Sequence, residues 1–143
     1  MSQIEPTALR HPVPAQGYAG DVSPQLACDW VQRAEAVLVD VRSRAELEWV
    51  GFVPGAVHIA WKEWPGMQPN PDFDQAIQAV APGQRLVLLC RSGVRSIAAA
   101  RRATELGREA YNILEGFEGD PDAQGQRGRL GGWRHRGLPW RQN

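Results

Sequence analysis

The architecture of this chain follows from one stretch, Leu86-Val87-Leu88-Leu89-Cys90-Arg91-Ser92-Gly93-Val94-Arg95-Ser96. Its first four residues form an uninterrupted apolar run, which is typical of a short strand buried on both faces of a sheet. The polar residues after Cys90, with Gly93 among them, predict a tight turn. A helix is predicted from Ser96, because small and apolar side chains then recur at helical spacing until Gly107. The stretch is therefore read as a strand, a turn and a helix start.

The same alternation of strand and helix signals recurs on both sides of this stretch. Ser23-Pro24 predicts a helix start, because an N-cap hydroxyl precedes a proline at the first helical position. Apolar patterning predicts helical segments over 24–34, 45–49 and 73–80, and strands over 37–41, 56–59, 86–89 and 110–114. Short apolar strands that alternate with helices predict an α/β fold with a mostly parallel central sheet and helices on both faces.

The length of 143 residues fits one domain, because two independent cores would each be marginally small. Residues 1–17 carry three prolines and little periodicity, which predicts an extended or partly ordered N-terminal segment. The domain is predicted over 18–143. Within it, residues 118–132 are rich in Gly, Asp, Gln and Arg and are predicted to form an exposed loop.

Charge and hydropathy exclude several classes of partner. Sixteen basic residues balance sixteen acidic ones, so no global charge favours nucleic acid or an anionic membrane. The stretch 49–61 lacks charged residues but contains Pro54 and is too short to cross a bilayer. The N-terminus lacks the pattern of a secretory signal, so we expect a cytoplasmic location and two free thiols, Cys28 and Cys90.

Cys90 is the candidate nucleophile. In parallel sheets ligands bind at the carboxyl ends of strands, where Cys90 and the segment after Asp40 are both predicted to lie. A cysteine at the end of a buried strand is by itself more often a core residue. However, Arg91, Arg95, a glycine turn and a helix start make a poor core and favour an anion, which is the nucleophilic form of a thiol.

Residues Cys90 to Ser96 resemble the active loop of the rhodanese family, which often has the pattern Cys-Arg-x-Gly-x-Arg followed by Ser or Thr. The resemblance extends over about residues 20–140, through the segments 38–42, 54–59, 111–117 and 132–140. Two features depart from the family pattern. Phe52 stands where many members have histidine, which we interpret as a packing change, and residues 118–132 are an insertion that could alter access to Cys90.

The resemblance implies a rhodanese-like three-layer fold and a ping-pong sulfurtransferase. Cys90 would take the outer sulfur of a donor such as thiosulfate, become a persulfide and pass the sulfur to a thiophilic acceptor. The family pattern assigns an anionic donor to the loop, with Arg95 as its main contact. The loop residues are Arg91, Ser92, Gly93, Val94, Arg95 and Ser96.

The resemblance also carries expectations about support and partners. Asp40 and Arg42 are expected to form a buried pair that supports the loop, and no metal or organic cofactor is needed. The expected partners are a small anionic sulfur donor and an acceptor thiol or sulfur-relay protein, without nucleic acid or membrane.

Two other functions remain open from the sequence. Cysteine phosphatases and arsenate reductases share this architecture, but their loops hold five residues between cysteine and arginine, whereas Cys90 and Arg95 enclose four. A noncatalytic regulatory or redox-sensing module of the same family is the other alternative.

Several remaining residues are predicted to have packing roles. Cys28 is expected to pack in its helix, and His58 to pack or lie at the surface. Among the six tryptophans, Trp61 and Trp64 are candidates either for a pocket rim or for simple packing. The others are expected to pack, and they are Trp30, Trp49, Trp133 and Trp140.

Overall fold

The computed structural model describes residues 10–143. Residues 1–9 of the predicted N-terminal segment lie outside the described residues. In the remainder of that segment, Val13 pairs with Asp21 through two backbone hydrogen bonds of 2.8 Å. The N-terminal segment therefore runs antiparallel to the strand that contains Asp21 and pairs with it at Val13.

Residues 18–143 form seven strands and four helices. The strands are β1 (Gly20–Val22), β2 (Val37–Asp40), β3 (Val57–His58), β4 (Lys62–Glu63), β5 (Gln68–Pro69), β6 (Leu86–Leu89) and β7 (Ala110–Ile113). The helices are α1 (Pro24–Gln32), α2 (Arg44–Trp49), α3 (Phe73–Ala79) and α4 (Arg95–Glu105).

The main sheet has five parallel strands in the order β1-β7-β6-β2-β3, and β4 and β5 form a separate antiparallel pair. The predicted α/β fold with a mostly parallel central sheet is confirmed. Strand β6 lies in the middle, between β7 and β2. Because the five strands of the main sheet all point the same way, the residues after β2 and β6 meet at one edge of that sheet.

The core lies on both faces of β6, because alternate side chains of a strand point to opposite faces. Val87 and Leu89 join a cluster that includes Trp30 of α1, whereas Leu86 and Leu88 join one that includes Ile77 of α3. All four β6 side chains are fully buried, which contributes about 1.5–3 kcal/mol for each large apolar side chain. This double burial explains the continuous apolar run.

Local signals at the helix ends are also realised. The Ser23 hydroxyl accepts a hydrogen bond from the backbone N–H of Leu26 at 3.0 Å, and Pro24 opens α1. The helix ends at Gln32, two residues earlier than predicted, since Ala34 adopts a left-handed φ of 59° that a helix cannot contain.

Two further features differ from the sequence predictions or were missed by them, and one agrees. Strands β1, β4 and β5 are too short and too polar to give a periodic signal, and backbone pairing defines them. Trp49 was expected to pack, but it is 72% exposed. Cys28 is buried against α1 neighbours, as expected.

Candidate active site

The loop between β6 and α4 holds the Cys90 sulfur beneath the surface. Cys90 is 1% exposed, and its Sγ accepts a hydrogen bond from the backbone N–H of Gly93 at 3.1 Å. Gly93 has a φ of 94°, which side chains rarely adopt. A Cβ there would also lie 3.3 Å from the backbone nitrogen of Glu115. Glycine at this position therefore lets the loop curl tightly enough for an N–H group to reach the sulfur.

A second turn, residues 115–119, donates backbone hydrogen bonds to the first two residues of the loop. The backbone N–H of Phe117 donates to Cys90 O at 2.8 Å, and that of Glu118 donates to Arg91 O at 2.9 Å. The close approach requires Gly116, because a Cβ at that position would lie 2.5 Å from both Cys90 O and the Arg91 carbonyl carbon. Residues 111–117 are part of the family resemblance, but no sequence pattern there indicates the contact with Cys90.

Arg95 is held by an internal carboxylate. Its Nη1 and Nη2 donate to Glu46 Oε1 and Oε2 at 2.7 and 2.8 Å, with about a fifth of each side chain exposed. Burial favours a raised pKa for Glu46, but hydrogen bonds from Arg95 and its charge, together with Ser43, lower that pKa to about 2. The hydrogen bonds to Glu46 raise the pKa of Arg95. The positive charge of Arg95 is therefore already balanced at the site.

Glu46 was not among the predicted site residues. It belongs to a capping box at the start of α2, in which Ser43 and Glu46 bond each other's backbone N–H groups. The pattern Ser-x-x-Glu in the sequence signals this cap. It does not signal the contact with Arg95, which is 49 residues away.

Asp40 and Arg42 form a buried ion pair below the loop. Arg42 Nη2 donates to Asp40 Oδ2 at 2.7 Å and to Gly51 O at 2.9 Å, and both side chains are about 1% exposed or less. The Arg42 guanidinium lies 4.2 Å from the ring centre of Phe117, whose backbone holds Cys90. The pair therefore links the end of β2 to the turn behind the nucleophile loop.

A cavity of about 900 Å³ opens above Cys90. Loop residues, α2 and the segment that contains β4 and β5 line it, and Arg127 reaches it from the 118–132 loop. Trp49, Trp64 and Val94 line the cavity while exposing 60–72% of their surface. Trp61 instead packs edge-on against Phe73, with ring centres 4.8 Å apart. Trp64 is therefore the rim residue and Trp61 the packing residue.

The charges in the cavity wall are mainly basic. Besides the Arg95–Glu46 pair, its lining includes Lys62, Arg91, Arg127 and Glu118. Within the described part of the chain, Arg91 forms no ion pair, and it is exposed. Local positive charge at the cavity mouth thus comes from residues other than Arg95.

A chain of polar side chains leads away from the sulfur into the sheet. Cys90 Sγ lies 3.2 Å from Ser96 Oγ, which donates to Asn112 Oδ1 on β7. Asn112 Nδ2 donates to Asp21 Oδ1 on β1 at 3.0 Å, and the Tyr18 hydroxyl donates to the same oxygen at 2.8 Å. Asn112 and Asp21 were not among the predicted site residues, because only the pairing of β1 with β7 brings them together.

Metal-binding and membrane-spanning features are absent from the described residues. Across residues 10–143, no group of three or more His, Cys, Asp or Glu side chains could hold a metal ion. In the same part of the chain, every helix is too short or too polar to cross a membrane.

Comparison with known proteins gives a family match over most of the chain. The family model described as "Rhodanese-like domain" matches residues 23–120. The uncharacterized protein RC0915 of Rickettsia conorii is 33% identical over 77% of this chain and 86% of its own length. The thiosulfate sulfurtransferase GlpE of Actinobacillus succinogenes is 27% identical over 83% of this chain and 87% of its own length.

Solved structures support the same relationship. The crystal structure of Rv0390 from M. tuberculosis is 43% identical, with a TM-score of 0.80 over 88% of this chain and 99% of that chain. A rhodanese-related protein from Thermoplasma volcanium shares the fold at 16% identity, with a TM-score of 0.61 over 85% of this chain and 96% of that chain.

Proposed function

Because the chain belongs to the rhodanese-like domain family, we propose that it is a sulfurtransferase that moves a sulfane sulfur from a donor to a thiophilic acceptor through a persulfide on Cys90. One observation carries the proposal. Cys90 lines an open cavity, and its sulfur accepts a hydrogen bond from the backbone N–H of Gly93 within a loop of six residues. That arrangement suits a sulfur nucleophile that must hold a second sulfur atom.

In the first half-reaction the Cys90 thiolate attacks the outer sulfur of the donor. With thiosulfate as donor, an S–S bond forms to Cys90 and the original S–S bond breaks, with its electron pair leaving on sulfite. The Gly93 N–H, which donates to the sulfur, and the start of α4, which follows the loop and has eleven residues, favour the negative charge of the persulfide. No proton or electron has to be supplied from elsewhere.

In the second half-reaction an acceptor anion attacks the outer persulfide sulfur. A new bond forms to the acceptor, the persulfide S–S bond breaks, and its electron pair returns to Cys90 as the thiolate. Cyanide as acceptor gives thiocyanate, and an acceptor thiolate gives a persulfide. The cavity falls within the size range of small-molecule sites, so a small donor and the end of an acceptor both fit above Cys90.

Anionic donors are proposed to be attracted mainly by Arg91, Arg127 and Lys62. All three line the cavity, whereas the charge of Arg95 is balanced by Glu46. Arg95 then orients a donor through N–H groups that remain at the cavity wall, and its charge adds little until the Glu46 contact loosens.

The test is a two-step sulfur transfer. Incubation with thiosulfate is expected to add one sulfur atom to Cys90, seen by intact mass, and later addition of cyanide is expected to release thiocyanate. C90S should abolish both signals, and C28S should preserve both, because Cys28 is buried in a different cluster. An unmodified Cys90 together with hydrolysis of an aryl phosphate would instead support a phosphatase.

A further inference from the structure

The hydrogen-bond chain behind Cys90 has a defined direction that starts at Asp21. An ionised carboxylate can only accept hydrogen bonds, so Asp21 Oδ1 must receive the Asn112 N–H and the Tyr18 O–H. Burial, and then the hydrogen bond to Asp21, raise the pKa of Tyr18 to about 12, so its phenol stays protonated as a donor. Asp21 therefore receives two donors on one oxygen.

The orientation of the Asn112 amide follows from its hydrogen bond to Asp21. Its Nδ2 faces Asp21, and its Oδ1 therefore faces Ser96. Rotating the amide by half a turn would point an oxygen at the Asp21 carboxylate and lose the Asp21 contact. The charge on β1 thus fixes which end of the amide meets the helix α4.

Ser96 has one hydroxyl proton, which it donates in the hydrogen bond to Asn112 Oδ1. Ser96 Oγ consequently faces Cys90 Sγ, 3.2 Å away, with lone pairs. A lone pair at this distance can accept the S–H proton of a thiol, but it repels a thiolate. In this state the Gly93 N–H donates a hydrogen bond to the sulfur and the Ser96 hydroxyl does not.

We propose that Asp21 and Asn112 are positioning residues that restrain the Cys90 nucleophile by drawing the Ser96 proton away from its sulfur. The thiolate gains a second hydrogen bond only when Ser96 releases Asn112 and turns its O–H toward Cys90. The hydrogen-bond chain from Asp21 through Asn112 to Ser96, called the relay below, thus sets how much thiolate is present before a donor arrives. The inference rests on the proposed function only in naming Cys90 the nucleophile.

The other charged groups around the loop do not account for this direction. They are carried by neighbouring elements and form pairs or face the cavity: Asp40 with Arg42 after β2, Glu46 of α2 with Arg95 of α4, Glu115 with Arg136, and Arg91 in the loop. None of them bonds Ser96 or Asn112 in the described residues. Substitutions in the relay therefore leave these charges unchanged.

The test measures thiolate directly and needs no sulfur donor. In a C28S background, the rate of alkylation of Cys90 by iodoacetamide is followed against pH, together with the ultraviolet absorbance of the thiolate. N112A leaves the Ser96 hydroxyl free to donate a hydrogen bond to the Cys90 sulfur. A hydrogen bond to a charged group is expected to shift the equilibrium between thiol and thiolate by about tenfold. We expect alkylation at neutral pH to be about tenfold faster and the absorbance transition to move to lower pH.

Two further variants separate the relay from general loosening of the loop. S96A removes the hydroxyl, so adding N112A to S96A is expected to change alkylation less than twofold. D21N keeps the size of Asp21 but lets Asn112 turn, and it should accelerate alkylation in the same direction as N112A. D21N carries the test if N112A fails to fold.

Y111F is the matched control. Tyr111 precedes Asn112 on β7, and its hydroxyl donates to Glu109 Oε2 at 2.6 Å; within residues 10–143 its side chain makes no hydrogen bond to Ser96, Asn112 or Asp21. We expect Y111F to alkylate at the parent rate. Unchanged alkylation in both N112A and D21N would overturn the proposal, as would an N112A effect that persists undiminished in S96A. Because no sulfur is transferred in the assay, a protein inactive with thiosulfate still gives a clear result.

Discussion

Arg95 and Glu46 face each other through two parallel hydrogen bonds of 2.7 and 2.8 Å. The pair connects the first residue of α4 to the first turn of α2 at the wall of the Cys90 cavity. A bidentate contact of this kind fixes both side chains and balances both charges. The arginine that the family pattern associates with donor anions therefore already has an anionic partner.

Removing the Glu46 charge is expected to strengthen the binding of an anionic donor. In E46Q the Arg95 guanidinium keeps one acceptor but is no longer neutralised, so its full charge faces the cavity. We expect the KM for thiosulfate to fall severalfold, equivalent to about 1 kcal/mol for one charge contact at a partly solvated site. The measurement is steady-state thiocyanate production over a range of thiosulfate concentrations.

E48Q is the control for this prediction. Glu48 lies on the same helix, is exposed and forms no ion pair within residues 10–143. The same charge change at Glu48 should leave the KM for thiosulfate unchanged. Equal effects of the two substitutions, or a higher KM in E46Q, would show that the pairing of Arg95 does not limit donor binding.

The same pair predicts how stability depends on pH. The pKa of Glu46 in the folded protein is lowered to about 2 from an ordinary value of 4.5. A lowered folded-state pKa contributes stability that is present above the unfolded value and is lost as pH falls through the folded value. The lowered pKa corresponds to at most about 3 kcal/mol of unfolding free energy at neutral pH. We expect a smaller contribution, because about a fifth of each side chain is exposed and solvent screens the pair.

Urea unfolding of the parent protein and E46Q at several pH values checks this expectation. The difference in the free energy of unfolding should be constant from neutral pH to about pH 5 and then shrink toward zero near pH 2. A difference that stays constant down to the acid limit would mean that the contact with Arg95 does not lower the pKa of Glu46.

The parts of the fold that sequence predicted are those with local signals. Strand β6 and helix α4 were predicted within a residue, because a doubly buried strand and a helix face both leave regular apolar patterns. Strands β4 and β5 have two residues each, and polar side chains such as Lys62 carry no such pattern. Only their backbone pairing defines them.

The same division holds for the site. The Cys90 loop was predicted because its nucleophile, glycine and arginines are consecutive in the chain. Glu46, Asp21 and Asn112 were not predicted, because each meets the loop through contacts between elements distant in sequence. A position 49 residues away gives no periodic or motif signal for its partner. The partners of a site are thus harder to predict than the site itself.

The buried pair of Asp40 and Arg42 is expected to be needed for folding. Removing one partner leaves an uncompensated charge at a position with almost no solvent access, which costs about 3–5 kcal/mol. R42M should therefore lower the free energy of unfolding by that amount in a denaturant titration. The double variant D40N/R42M should lose less than the two single variants summed, because no charge is then left alone.

An exposed pair provides the comparison for this prediction. Asp29 of α1 and Arg33, the residue that follows the helix, form an ion pair 3.1 Å apart, with the Arg33 and Asp29 side chains 67% and 48% exposed. R33M should change the free energy of unfolding by less than about 1 kcal/mol. A loss in R42M no larger than that in R33M would mean that burial does not give the Asp40–Arg42 pair its importance.

Gly116 is expected to be required for both stability and sulfur transfer. A substitution at Gly83 serves as the control, because it introduces the same backbone strain without a steric clash with the Cys90 loop. Both have positive φ, 64° and 80°, so alanine is strained at either position. Apart from its chain neighbours, no atom of residues 10–143 lies within 4 Å of a Cβ added at Gly83, whereas a Cβ added at Gly116 would lie 2.5 Å from Cys90 O. G83A should cost about 1 kcal/mol and leave thiocyanate production unchanged. G116A should cost at least about 2 kcal/mol more, because the backbone behind the nucleophile must move, and thiocyanate production by the folded fraction should fall. If G116A and G83A proved equally stable and equally active, the turn at residues 115–119 would not set the position of Cys90.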